Sequence, residues 1–134
     1  MMNKKLINPK ELYDGSVFGL SQAVREINSN LVFISGQVAW NQDFQVTSHT
    51  VEGQLKDALN NLATVLKASN ASVENLLHVK IYIRGELAEH MDAIRPIIVE
   101  YLGKSRPSLT GIGVASLASP ETLVEVEAIA SVTA

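Results

Sequence analysis

The segment LVEVEAIASV at residues 123–132 carries apolar residues on both sides of an extended chain. Successive side chains of a strand point to opposite faces. Val124, Val126, Ala128, Ala130 and Val132 therefore share one face, while Leu123 and Ile129 lie on the other. A strand that is apolar on both sides belongs in a sheet covered on both sides. The chain has 134 residues, enough for one hydrophobic core and not for two, so one domain over residues 1–134 is expected. Such a chain offers few elements to cover both faces. Burying the second face against copies of itself is the economical solution, and an oligomer is expected.

The rest of the chain supplies the covering elements. Over residues 50–68, Val51, Leu55, Ala58, Leu59, Leu62, Val65 and Leu66 recur at steps of three and four, which predicts a helix. Asn70 can supply the left-handed residue that ends it. Residues 87–102 predict a second helix through Met91, Ile94, Ile97, Ile98 and Tyr101, closed by Gly103. Pro96 lies inside it and should kink or restart it. In residues 77–84, Leu77, Val79, Ile81 and Ile83 alternate with His78, Lys80, Tyr82 and Arg84, the pattern of a half-buried strand.

Residues 17–27 and 31–38 are β-prone and separated by Asn28-Ser29-Asn30, which reads as a hairpin. Residues 1–12 read as an irregular lead-in, 39–48 as loop, and 110–115 as a strand containing Gly111 and Gly113. Ser119-Pro120 makes a turn before the last strand. The order ββαβαββ describes an α+β sandwich with two helices on one face of a mixed sheet.

Composition narrows the chemistry. With no cysteine there is no disulfide framework, thiolate nucleophile or Cys-ligated metal. Net charge is −3, aromatics are 5% of the chain, and no window concentrates Lys or Arg, so a nucleic-acid-binding stripe is not expected. No apolar run is long enough to cross a bilayer, and the first residues lack the apolar stretch of a signal peptide; a cytoplasmic location is the expectation. His49, His78 and His90 fall on separate elements without metal spacing, so no metal is expected. No phosphate loop or dinucleotide fingerprint is present, and no cofactor is implied.

Two features remain as candidate chemistry. Ser35-Gly36-Gln37 ends a strand with a glycine, either where a ligand approaches the backbone or at a plain bulge. Glu125 and Glu127 share a strand face with Leu123 and Ile129. They read either as solvated or salt-bridged glutamates, or as carboxyls whose apolar surroundings raise the pKa, as in general acid–base catalysis.

These pieces together resemble the RidA/YjgF family, also called the endoribonuclease L-PSP family. The resemblance rests on Leu20-Ser21-Gln22-Ala23-Val24, residues 31–37 ending in Ser-Gly-Gln, Gln54 with Leu59, Asn61 and Leu62, residues 79–83, and Val124-Glu125-Val126-Glu127-Ala128-Ile129-Ala130. It covers the chain from about residue 16 to residue 132. It implies a chorismate-mutase-like fold and homotrimers whose sheets form a central barrel, with a small-molecule cleft between subunits.

The best-known members of that family hydrolyse reactive enamines and imines, such as 2-aminoacrylate. Transferred residue by residue, the family's water-handling glutamate falls on Glu125 and its cleft serine on Ser35. Its cleft tyrosine falls on Leu20. The arginine that grips the substrate carboxylate falls on Leu109, two residues before Gly111. Leucine offers none of the paired charge-assisted hydrogen bonds of a guanidinium, a loss of about 2–5 kcal/mol in a desolvated cleft. Arg95, beside Pro96, or Arg106 can replace that charge if either reaches the cleft; the alternative for Arg95 is an exposed helix arginine. Trp40 either caps the cleft or packs beneath the loop.

The resemblance thus implies an imine or enamine deaminase, a hydrolase, with a ligand other than a free 2-imino acid. The other reading is a non-catalytic trimeric metabolite-binding or regulatory protein. The acidic charge disfavours ribonuclease action.

Overall fold

The computed structural model describes residues 3–132. Six strands form one sheet: β1 (Lys4–Ile7), β2 (Ala23–Glu26), β3 (Leu31–Val38), β4 (Leu76–Arg84), β5 (Ser108–Val114) and β6 (Val124–Ser131). Their order is β1-β2-β3-β6-β4-β5, and the sheet is mixed because β4 and β5 run parallel while the other pairs are antiparallel. Two helices, α1 (Val51–Ala68) and α2 (Met91–Leu102), pack on one face. This is the α+β sandwich expected from the sequence.

The helix α1 starts where Thr50 accepts a hydrogen bond from the Gly53 amide at 3.0 Å, a side-chain N-cap. It buries the apolar stripe read from the sequence, together with Gln54, and ends before Asn70, whose φ of 58° is left-handed. That stripe meets Val124, Val126, Ala128 and Ala130 of β6 and Val79, Ile81 and Ile83 of β4 in one continuous core.

The sequence reading is corrected at four places. The lead-in contains β1, which pairs Lys4 with Glu26 through Ile7 with Ala23. Its lysines give no alternation signal, and its conformation comes from hydrogen bonding to the edge of β2. The β-prone run 17–27 is a strand only over Ala23–Glu26. Before it, Gly15–Phe18 forms a 3-10 turn, capped by Asp14 and ended by Gly19 at a φ of 75°. The second helix begins as a 3-10 turn at Leu87–His90 before continuing as α2, which is helical through Pro96. Finally, Leu77 does not share the buried face of Val79. The register between β4 and β6 shifts from Leu76/Ala130 to His78/Ile129, leaving Leu77 as an extra, exposed residue in a bulge.

The helix-free face of the sheet carries a row of apolar side chains. Register places Leu6, Val24, Phe33 and Ile129 side by side across β1, β2, β3 and β6. Leu6 is 48% exposed, Phe33 46% and the bulged Leu77 49%. Within one chain, therefore, one face of the sheet is covered and the other open.

Candidate active site

A cavity of about 440 Å³ opens beside the open sheet face, where β3 and β6 meet the chain that leads into β2. The sequence shapes it through an irregularity in pairing. Ile34 lies opposite Ala128 and Gln37 opposite Val126, so Ser35 and Gly36 together stand against Glu127 alone. This is a β-bulge, and it also lines the cavity. Gly36 lets the Glu125 side chain settle against the backbone: a Cβ there would lie 2.4 Å from the Glu125 carboxyl carbon and 2.6 Å from Oε2. The hydroxyl of Ser35 donates to the Ser21 carbonyl at 2.6 Å, so its proton is committed and its oxygen can accept.

The opposite wall is aromatic. Tyr13 and Phe18 come from the segment around the first 3-10 turn, Leu20 follows them, and Trp40 follows β3. Tyr13 and Trp40 have ring centroids 5.2 Å apart, Phe18 lies 6.3 Å from Trp40, and Phe44 packs on all three. Trp40 is pinned by its indole N–H, which donates to Thr122 Oγ1 at 3.0 Å. It thus lines the cavity and packs in the loop at once. Tyr13 is anchored through its carbonyl, which accepts from Gln22 Nε2 at 3.0 Å; Gln37 Nε2 in turn donates to Gln22 Oε1 at 3.0 Å.

Electrostatically the site is acidic. Burial pushes the Glu125 carboxyl above its ordinary range, and the neighbouring Glu127 pushes it further in the same direction. The Tyr13 hydroxyl is also raised, first by burial, with the charge of Glu125 adding to it. Tyr82, opposite Glu125 in register, donates its hydroxyl to Glu127, and that bond is the main reason its own pKa is pushed up to about 12. None of the residues lining the cavity is basic. Among the described residues no group of three His, Asp or Glu side chains is placed to hold a metal ion.

Of the residues singled out in the sequence, Glu125, Ser35, Leu20 and Trp40 meet in this cavity. Leu109 and Gly111 do not. They pair with Val79 and Ile81 on the helix-covered side, where Leu109 lines a groove with Ile98, Val99, Leu102 and Arg106, and Gly111 faces Leu87. Arg95 is 63% exposed on α2, its guanidinium 3.9 Å from Asp92. Within one chain neither Arg95 nor Arg106 lines the Glu125 cavity. Sequence reading missed Tyr13, Phe18 and Phe44. They lie in segments without periodicity, Phe18 inside the run read as β-prone, and no local pattern marks them.

Fold and cavity together define a small α+β sandwich with a ligand-sized, carboxylate-bearing pocket at the side of its sheet. Residues 15–132 match the family model described as Endoribonuclease L-PSP, and the chain belongs to that family, the RidA/YjgF family. It is 30% identical over 132 residues to a protein of Dermatophagoides farinae named 2-iminobutanoate/2-iminopropanoate deaminase, covering 96% of this chain and 97% of that one. It is likewise 30% identical over 132 residues to mmf2 of Schizosaccharomyces pombe, named as mitochondrial, covering 97% of this chain and 99% of that one. Among solved structures, YyfB of the conserved Rid protein family from Yersinia pestis superposes with a TM-score of 0.72 at 32% identity, over 98% of this chain and 100% of that chain.

Proposed function

We propose that the cavity hydrolyses a C=N bond, with Glu125 as the general acid–base and a substrate other than a free 2-imino acid. The observation that carries this reading is the Glu125 carboxyl itself, held over Gly36 and raised in pKa by burial beside a cavity large enough for a small metabolite. A carboxyl with a raised pKa can take a proton from attacking water and return it to the departing nitrogen near neutral pH. The bookkeeping is that of imine hydrolysis. Water adds to the C=N carbon, Glu125 removes its proton, and the resulting carbinolamine expels ammonia or an amine to leave a carbonyl. Ser35 Oγ would accept a hydrogen bond from the substrate nitrogen or the water, a role supported by its own proton being held by the Ser21 carbonyl.

The substrate restriction rests on charge. A 2-imino acid brings a carboxylate into a cavity whose own lining holds a carboxyl and no cation. The relative named as a deaminase supports the reaction class, and the absence of a cation from the lining supports the altered substrate. The working unit in this reading is a homotrimer, supported by the open apolar row of Leu6, Phe33 and Ile129. The cavity would then be part of a cleft between subunits. A cytoplasmic location belongs to the same proposal and is supported by the cysteine-free composition. The specific observation favouring a non-catalytic binding or regulatory protein is the apolar Leu20 in the cavity wall.

One assay separates these readings. A PLP-dependent dehydratase generates 2-iminobutanoate in the presence of semicarbazide, and a carboxylate-free acyclic imine generated in situ by an amine oxidase is supplied in parallel. Faster carbonyl release from the carboxylate-free imine is expected, with Glu125→Gln reducing it by about 10²–10⁴-fold. No release from either substrate, with a folded protein that still binds them, overturns the hydrolase reading and leaves the binding protein.

A further inference from the structure

The cavity pairs two features that together suit a cation. One wall offers the rings of Tyr13, Phe18 and Trp40, and the other the Glu125 carboxyl. Aromatic rings attract cations through their negative faces, and a half-buried carboxylate attracts them through its charge. The titratable groups that bear on Glu125 from the surrounding elements are Glu127 on its own strand, Tyr82 on β4 and Tyr13 from the turn before β2. All are acidic, and none of them is positive at neutral pH. Within one chain, Glu125 therefore sits in a site that lacks one positive charge, and no residue of that chain lining it supplies the charge.

We propose that the ligand supplies it: the cavity binds a compact organic cation, in the first instance the protonated imine (iminium) form of its substrate. The inference rests on reading this cavity as the substrate site and names the charge of what enters it. An iminium nitrogen beside Glu125 forms a charge-assisted hydrogen bond while its carbon skeleton lies against the rings. Protonation also makes the C=N carbon more open to attack by water. The reaction balances as R₂C=NH₂⁺ + H₂O → R₂C=O + NH₄⁺, with no oxidant, reductant or cofactor.

Trp40 makes a direct test available, because it is the single tryptophan of the chain and lines the cavity. Its fluorescence is titrated with three ring-matched probes: pyrrolidinium, neutral cyclopentanol and anionic cyclopentanecarboxylate. Pyrrolidinium is expected to bind at least ~10-fold more tightly than cyclopentanol, the scale of a desolvated cation over aromatic rings. Glu125→Gln should abolish that preference. Phe18→Leu, which keeps the carboxylate, should reduce the preference by about threefold.

Equal binding of pyrrolidinium and cyclopentanol overturns the proposal, as does a preference that survives Glu125→Gln. Tighter binding of the carboxylate probe overturns it by showing that a cation from elsewhere reaches the cavity. A Trp40 signal that responds to none of the three overturns it as well. Turnover is not read in this titration. Cation selectivity without hydrolysis sinks the hydrolase reading alone, and hydrolysis without cation selectivity sinks this inference alone.

Discussion

At the scale of single residues, the site depends on Gly36 having no side chain. A Cβ at that position would occupy the place of the Glu125 carboxyl, which sits at the end of a flexible side chain and would be displaced without disturbing the strand. Gly36→Ala is therefore expected to lose about 10²-fold or more of the proposed hydrolysis, comparable to removing a positioned acid–base group, with a melting temperature close to that of the parent. A carboxyl-resolved NMR titration should show the Glu125 pKa moving back toward its ordinary value.

The raised pKa of Glu125 also has a signature in stability. The folded state holds this proton more tightly than the unfolded chain, so ionising Glu125 destabilises the fold, and the penalty is relieved as pH falls through the folded pKa. Glu125→Gln should accordingly raise the melting temperature at pH 8. That gain should shrink as pH drops through the raised pKa and vanish in the ordinary carboxylate range. A gain independent of pH would show that burial of the ionised group is not its cause.

At the scale of elements, buried glutamines fasten the site-bearing segments to the core. Gln54, fully buried on α1, donates to the carbonyls of Ser48 at 3.0 Å and Glu121 at 2.7 Å, and accepts from the Leu123 amide at 2.7 Å. One side chain thus ties the start of α1 to the approach of β6. Gln54→Leu leaves three backbone groups unpaired and is expected to cost about 2–4 kcal/mol in urea unfolding. Gln22 plays the same part for the aromatic wall, linking Tyr13 to Gln37 of β3. Gln22→Leu should cost about 1–3 kcal/mol and should shift Trp40 emission as the wall loosens.

At the scale of the whole molecule, the decisive feature is the sheet face that no helix covers. Phe33 lies at the middle of its apolar row, paired with Val24 on one side and Ile129 on the other. Phe33→Glu places a charge there and, if the proposed trimer forms through this face, is expected to give monomers in sedimentation velocity, with loss of turnover if the cleft is shared between subunits. An unchanged sedimentation coefficient would remove this face from the interface.

The sandwich was legible in the amino-acid sequence, because its signals are periodic and local. The three-and-four spacing of Leu55, Leu59, Leu62 and Leu66 and the alternation through Val124, Val126 and Ala128 repeat over whole elements, and burying those stripes leaves few arrangements. The sequence also marked Glu125 and Ser35, whose surroundings on strands are readable from their neighbours. Where pairing overrides local pattern, the sequence was silent. Lysine-rich β1 is a strand because β2 offers it an edge, and Leu77 is exposed because β4 bulges there. The aromatic wall belongs to the same class. Tyr13, Phe18, Trp40 and Phe44 lie in aperiodic segments up to 31 positions apart, and no spacing rule joins them. Only closure of the chain over the bulge at Ser35 and Gly36 brings them to face one carboxyl, because convergence of irregular segments is a property of tertiary packing and leaves no trace in local order.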